Sequence, residues 1–364
     1  MLISEKTKTV LHDFDKFRQN ASNHLNDQGL PIEEARKFVP PWVYKTKQLF
    51  PPFTYFGGKR GIAAEVWRRF GSDIPNYIEP FAGGLSVLLA RPIFDLRNLK
   101  KYRELVNDTN LFLLNFWRAV QQENIEDLIR ISDFGAHERE LLDRRAALLQ
   151  GAYKLAKKMK TVNAYDDKLA AYWLYVQRQW IGGGADDVNF VPKKKMIRAK
   201  ESGFLGDSLE EHLRFLQSRM RHVRCFSGDG LSLLNDEDEW LRPLQSPTQT
   251  INIGGVAGAF MDPPYFGTSN YYTGRLDEGD PDNAVPLAAR EWALKYGKYP
   301  EFRIAYCGYL HHHDGFFPEG GKNGWIKIPW KKANGYSTPG AGKIEQIETV
   351  WFSPHCNRFP GDPR

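Results

Sequence analysis

The sequence predicts an α/β domain built on a Rossmann-like, nucleotide-binding sheet. Three observations predict it. Tyr77-Ile78-Glu79-Pro80-Phe81-Ala82-Gly83-Gly84 reads as a short strand running into an acid and a glycine turn, and residues 85–90 begin a helix. About one strand–helix unit later, residues 104–108 close a second apolar strand on another acid, Asp108. Ala257-Gly258-Ala259-Phe260-Met261 is a further short apolar run, and it ends on Asp262-Pro263-Pro264-Tyr265.

Composition bounds the answer. At 364 residues the chain holds two domains, or one large domain with an insertion, and 41% hydrophobic residues are enough for a proper core. A formal charge of +6 fits a polyanionic partner without demanding one. Cys225, Cys307 and Cys356 lie far apart and form no CxxC, which points away from a disulfide framework or zinc site and towards a reducing compartment. No apolar run reaches about 18 residues, so no membrane span is expected, and Glu5, Lys6 and Lys8 stand where a signal peptide would carry its apolar core.

Residues 1–50 read as a polar, partly helical extension, with Leu11, Phe14 and Phe17 on one weak face. It either packs on the main domain or adds nucleic-acid contacts through Arg36, Lys37, Lys45 and Lys47. Next, Tyr55-Phe56-Gly57-Gly58-Lys59 pairs two glycines, which allow close backbone approach, with a lysine before a helix through Ile62, Val66, Trp67 and Phe70. The triplet lacks the spacing of a phosphate-binding P-loop. In the following strand–turn–helix, Gly83 and Gly84 let the backbone approach a ligand and Glu79 faces the ligand's cationic part. Alone this unit is ambiguous between dinucleotides and other adenosine cofactors. Asp108 occupies the strand end that grasps ribose hydroxyls, or caps the helix over 110–120, and both can hold.

Residues 111–220 interrupt the two halves of the sheet. They begin helical and charged, turn aromatic at Tyr172-Trp173-Leu174-Tyr175, and pass through a flexible loop at Gly182-Gly183-Gly184 and Asp186-Asp187. Lys193, Lys194, Lys195, Arg198 and Lys200 follow as a basic cluster, either a phosphate-contacting surface or a solvated loop. Leu209, Leu213, Leu216 and Met220 mark the buried face of a helix that leads into the strand Val223-Arg224-Cys225-Phe226 and on to Gly228-Asp229. Asp229 thus stands at a strand end, where a doubly wound sheet binds ligands. Residues 235–256 carry no recognisable motif.

Pro263 and Pro264 lock two successive φ angles and remove two backbone donors, and Asp262 is driven out of the helical region by the proline after it. The turn offers a carboxylate, a main-chain carbonyl from Pro263 and the ring of Tyr265. That set suits a planar base bearing an exocyclic amine, the two acceptors taking its N–H groups and the ring stacking on it. The alternative is a surface turn with a capping Asp. Residues 268–282 read as a mobile flap over that site. Two more strands are expected at 303–307 and 348–352. His311, His312 and His313 have no completing ligand pattern, so no metal is expected.

In this order the motifs resemble the D12 class of DNA N6-adenine methyltransferases, the Dam-like family. Tyr55-Phe56-Gly57-Gly58-Lys59 matches its aromatic-x-Gly-Gly-Lys, Glu79-Pro80-Phe81-Ala82-Gly83 its Glu-Pro-Phe-x-Gly, and Asp262-Pro263-Pro264-Tyr265 its Asp-Pro-Pro-Tyr. Asp108 and Gly228-Asp229 fit the acids after the second and third strands. The resemblance runs from about Pro52 to Cys356; Leu85 departs from it, standing where many relatives carry a third small residue.

The resemblance implies a Rossmann-like S-adenosylmethionine-dependent methyltransferase sheet in two pieces, 51–110 and 221–356. A mainly helical target-recognition domain is inserted at 111–220, with an extension at 1–50 and a tail at 357–364. It implies S-adenosyl-L-methionine as methyl donor, S-adenosyl-L-homocysteine as product, and no metal. Tyr55, Gly58 and Lys59 would help hold the methionine end, with Glu79, Phe81 and Gly83 lining the same pocket. Asp108 would hold the ribose, Asp229 the cofactor's adenine amine, and Asp262, which also borders the cofactor, would with Pro263, Pro264 and Tyr265 hold a flipped-out adenine. Lys193, Lys194, Lys195, Arg198 and Lys200 fall where the family places target recognition. The implied partner is double-stranded DNA, with a cognate restriction endonuclease or other defence-system subunit in a restriction-modification setting. The implied setting is the cytoplasm of a bacterium, or of one hosting a phage or prophage. RNA adenine-N6, DNA cytosine-N4 and protein-glutamine transfer, and a catalytically silent DNA-binding module, are the alternatives.

Overall fold

The structure, a computed structural model, describes residues 49–55, 57–71, 74–92, 102–135, 137–180, 185–187, 207–230, 255–266, 283–321, 323–332, 347–360 and 362. Seven strands form one sheet in the order β3-β2-β1-β4-β5-β7-β6. They are β1 (Asn76–Glu79), β2 (Arg103–Asp108), β3 (Val223–Ser227), β4 (Ala257–Met261), β5 (Phe302–Tyr309), β6 (Ile326–Lys332) and β7 (Ile347–Phe352). The first five run parallel, and β7 pairs antiparallel with both β5 and β6. β1 and β4 are fully buried, as parallel strands covered on both faces must be. This mixed α/β sheet is consistent with a methyltransferase fold.

β6 was not foreseen. Its Pro329 breaks the reading of a strand, yet the strand lies at the sheet's edge, where a missing amide costs no ladder bond, and its register with β7 shifts between Pro329 and Lys331.

The helices are α1 (Ala63–Phe70), α2 (Ser86–Leu89), α3 (Leu111–Val120), α4 (Glu126–Ser132), α5 (Glu138–Met159), α6 (Asp167–Gln179), α7 (Asp207–Met220), α8 (Ala284–Tyr296) and α9 (Leu310–His313). Their apolar faces bury as the periodicity requires: Val66, Trp67 and Phe70 of α1 and Leu209, Leu213, Leu216 and Met220 of α7 have no exposed surface. The helices between β2 and β3 share the sheet's core. Phe53 packs on Phe116 of α3 and Trp173 of α6, with ring centroids 5.5 and 4.8 Å away. Arg118 of α3 is buried and donates to the carbonyls of Cys225, Met159 and Ala164 at 3.0–3.2 Å, fastening β3 to the end of α5.

The segment expected to be a flexible loop at 185–187 is anchored instead. Asp186 is buried and accepts from Asn110 Nδ2 and Trp173 Nε1, both at 2.9 Å, while Arg145 donates to the carbonyls of Ala185 and Asp187. A buried carboxylate must be hydrogen-bonded, and here its donors tie the segment to α3 and α6. Residues 357–360 and 362 are also fastened. Arg69 of α1 grips Asp362 through two bonds of 2.6 and 2.7 Å, and Arg68 stacks on Phe359.

The turn between β1 and α2 carries backbone strain. Leu85 lies in the left-handed region at φ 56° and is wholly buried. That conformation costs a non-glycine residue about 1–2 kcal/mol, but the side chain is part of the core. Leu85→Gly relieves the strain and removes the packing, which for a buried leucine is worth roughly 2–5 kcal/mol. Packing outweighs strain, so the variant is expected to be destabilised by about 1–3 kcal/mol in urea denaturation; a gain in stability would show that strain dominates there.

Candidate functional site

Because β1, β2, β3 and β4 are parallel neighbours, their carboxyl ends open at one edge of the sheet, and the strand order reverses between β1 and β4. Such a switch point leaves a crevice. A cavity of about 660 Å³ lies there, within the range of small-molecule sites. Tyr55, Gly58, Lys59, Glu79, Phe81, Gly83, Asp108, Asp229, Asp262 and Pro264 all line it, although they come from separate parts of the chain.

Two side chains brace the rim. Asn107 Nδ2 donates to the carbonyls of Pro80 and Gly228, both at 3.0 Å, linking the loops after β1 and β3. Asp108 accepts from the Gly83 amide through Oδ2 at 2.8 Å and from the Asn110 amide through Oδ1 at 2.9 Å. It therefore ties the glycine turn to the start of α3. The helix cap itself is Asn110, whose Oδ1 accepts from the amides of Phe112 and Leu113 at 3.1 and 3.0 Å. Gly83 has φ 49°, and a Cβ there would press on the Tyr55 ring, so a side chain would narrow the cavity.

Glu79 is buried at the end of β1, where Tyr77 Oη donates to its Oε2 at 3.0 Å. Burial holds its pKa well above the usual carboxylate range; the Tyr77 bond opposes this, and the charges of Asp262 and Asp108 add to it. Such a group gains by receiving a cation. Asp229 stands after β3 on the cavity wall.

Asp262 follows β4. Its Oδ2 lies 2.8 Å from Lys59 Nζ, and its Oδ1 is buried and makes no regular hydrogen bond among the described residues. Burial raises the Asp262 pKa, and Lys59 works against that rise. Lys59 Nζ also donates to the Gly57 carbonyl at 2.7 Å and lies 5.1 Å from the Tyr265 ring centroid. The Tyr265 ring meets Tyr309 edge-on at 4.7 Å and is 8% exposed. It is packed rather than held out as an open face. Pro263 is buried.

The Lys59–Asp262 pair, Asn107 and Asn110 were not singled out from the sequence. Neither asparagine carries a motif signal, and an ion pair spanning some two hundred positions has no local signature. Residues 193–200, with Lys193, Lys194, Lys195, Arg198 and Lys200, and the expected flap at 268–282 lie outside the described residues. The histidine triplet forms α9. His313 packs against Tyr306 and Trp351, and burial first, then Arg290 and the neighbouring histidines, lower its pKa to about 3, as befits a core side chain. Among the described residues no group of three or more side chains could hold a metal, and no helix is long and apolar enough to cross a membrane.

A family comparison covers the first half of this site. Residues 55–186 match the family model of D12 class N6 adenine-specific DNA methyltransferase. The family is one of DNA adenine-N6 methyltransferases, which are transferases acting on DNA. The methyltransferase match takes in Tyr55, Lys59, Glu79, Gly83 and Asp108 and ends before Asp229 and Asp262. No curated protein matches the chain.

Proposed function

We propose that the protein transfers the methyl group of S-adenosyl-L-methionine to the N6 amine of an adenine flipped out of duplex DNA. One observation carries the reading: acids from the ends of four adjacent parallel strands, β1 to β4, border a single cavity beside the Asp-Pro-Pro-Tyr turn. The residues fit the cofactor. Asp108 suits a ribose diol, Asp229 an adenine amine, and Glu79, an acid kept high in pKa by burial, suits the positively charged end. When bound, the cofactor supplies an electrophilic methyl on sulfonium sulfur and leaves as S-adenosyl-L-homocysteine.

The chain's own residues prepare the acceptor. An adenine amine is a poor nucleophile because its lone pair is delocalised into the ring. Hydrogen bonds from the amine to Asp262 and the Pro263 carbonyl favour a more tetrahedral nitrogen and localise that pair. No base removes a proton beforehand, since a neutral aryl amine is too weak an acid. After transfer the nitrogen is cationic, Asp262 stabilises the charge, and the proton then departs. The remaining contribution is alignment of acceptor and donor. A stacked base cannot enter such a cavity, which is the reason for flipping.

Double-stranded DNA is the substrate in this reading. Residues 111–220 recognise the target, with Lys193, Lys194, Lys195, Arg198 and Lys200 on phosphates; a restriction endonuclease or defence-system subunit is a candidate partner in a bacterial or phage-borne system.

Expression in a methylation-free host, followed by mass spectrometry of digested plasmid nucleosides, tests the activity. N6-methyldeoxyadenosine is expected, and N4-methylcytosine alone would overturn the adenine assignment. The cofactor site has its own test. Asp108→Ala removes both the ribose acceptor and the tie to Gly83, and S-adenosylmethionine binding should weaken by at least about 1.5–3 kcal/mol. Unchanged affinity by calorimetry in the folded variant would remove Asp108 from the site.

A further inference from the structure

The base-binding turn has a partner that the reading above does not use. Lys59 is 5% exposed and stands at the junction of three groups: Asp262 Oδ2 at 2.8 Å, the Gly57 carbonyl at 2.7 Å, and the Tyr265 ring with its centroid at 5.1 Å. The glycine turn thus fixes the lysine, and the lysine fixes one oxygen of Asp262. The other oxygen, Oδ1, is buried and makes no regular hydrogen bond among the described residues, and the Tyr265 side chain also faces the carboxyl and lowers its pKa. Leaving a buried carboxylate oxygen unsatisfied is unfavourable unless a ligand donor comes to it.

We propose that Lys59 is a positioning residue for methyl transfer: it holds the Asp262 carboxylate ionised and turned, so that Oδ1 is left to accept the N–H of the target amine. This rests on the adenine methyltransferase reading. It gives the Gly-Gly-Lys turn a task on the acceptor side of the reaction, distinct from any contact with the methionine end of the cofactor.

The physical reason is the desolvation of Asp262, whose side chain keeps only 17% of its surface exposed. Desolvation favours the protonated acid, a poorer hydrogen-bond acceptor that cannot stabilise a cationic nitrogen. The adjacent ammonium opposes that rise and favours the ionised form, and the same ammonium occupies Oδ2, which leaves Oδ1 for the substrate. Glu348, on β7, adds negative charge near Asp262 and makes the cation more necessary. Glu79, on β1, also faces Asp262, whose charge helps to hold the Glu79 pKa high. Without Lys59, Asp262 should take up its proton at a higher pH than in the wild type. Activity should then fall on the acid side of the profile and return as pH rises.

The test is single-turnover methyl transfer to a DNA duplex, measured against pH, for wild type, Lys59→Met and Lys59→Arg, with S-adenosylmethionine affinity measured alongside. Lys59→Met should move the acid limb of the profile upward by about 1–3 pH units, the span that an opposite charge shifts a carboxylate. Lys59→Arg should bring the limb back towards wild type. A lysine that only supports the fold would lower the rate at every pH without moving the limb. Should the Met variant fail to fold, Lys59→Gln keeps a donor to Asp262 without the charge, and its limb should move in the same direction. An unmoved limb in an active variant overturns the inference while sparing the function; so does weakened cofactor binding with an unmoved limb, which makes Lys59 a cofactor ligand only. Wild-type protein that methylates no adenine overturns the function and, with it, this inference.

Discussion

Asp262→Ala should abolish methyl transfer while leaving S-adenosylmethionine binding largely intact. On the proposed reading Asp262 addresses the acceptor amine and Glu79, Asp108 and Asp229 the cofactor, all four lining the same cavity. Removing one preorganised group that stabilises charge in the transition state costs about 10²–10³-fold in rate. Here the same carboxylate also localises the amine's lone pair, so the loss should be at least that large. Asp262→Asn keeps one acceptor oxygen but not the charge, and should retain more activity than the alanine variant. Both changes deprive the nearly buried Lys59 of its counter-ion, so thermal melting must first establish that the variants are folded. Single-turnover transfer by folded Asp262→Ala at near wild-type rate would sink the mechanism.

The largest effect on stability should come from Glu104→Ala. Glu104, on β2, is buried between two arginines: Arg91 Nη1 donates to Oε1 at 3.0 Å, and Arg219 of α7 donates to both oxygens at 2.6 and 2.8 Å. Arg219 also donates to the Leu88 carbonyl of α2 at 3.1 Å, so the cluster joins the sheet to two helices. Removing the acid leaves two buried guanidinium groups without their common partner, and breaking a buried pair in this way costs about 3–5 kcal/mol. Urea denaturation measures it; a loss below about 1 kcal/mol would mean that water reaches the arginines and that the cluster behaves like a surface pair.

The cluster also predicts acid sensitivity. Burial alone would raise the Glu104 pKa, but the two arginines overcome it and hold the carboxyl below the ordinary glutamate value of 4.5. A depressed folded-state pKa means that the unfolded chain takes up the proton first as pH falls. The contribution of Glu104 is therefore fully present above 4.5 and disappears as pH falls through the lower folded-state value. Denaturation midpoints of wild type and Glu104→Gln should converge over that acid interval.

The sequence by itself determined the strands and helices that carry strong patterns. β1, β2, β3, β4, β5 and β7 announce themselves as short apolar runs, several closed by an acid or glycine, and Leu209, Leu213, Leu216 and Met220 mark the buried face of α7. The acids that line the cavity were legible as well, because Glu79, Asp108, Asp229 and Asp262 each close or follow such a run.

Only the tertiary structure decided how these groups meet. β6 is an edge strand whose proline and lysines hide it, since edge position is a property of the sheet and not of the segment. Asp186 lies beyond three glycines, in a stretch that reads as mobile, and its burial comes from donors on α3 and α6. Asn110 caps α3, and Asp108 ties the glycine turn to that cap. Above all, Lys59 and Asp262 lie far apart in the chain and 2.8 Å apart in space. Hydrophobic period and turn chemistry are local and survive in the sequence. Charge pairing across a sheet depends on strand order, and strand order is fixed only when the core closes around it.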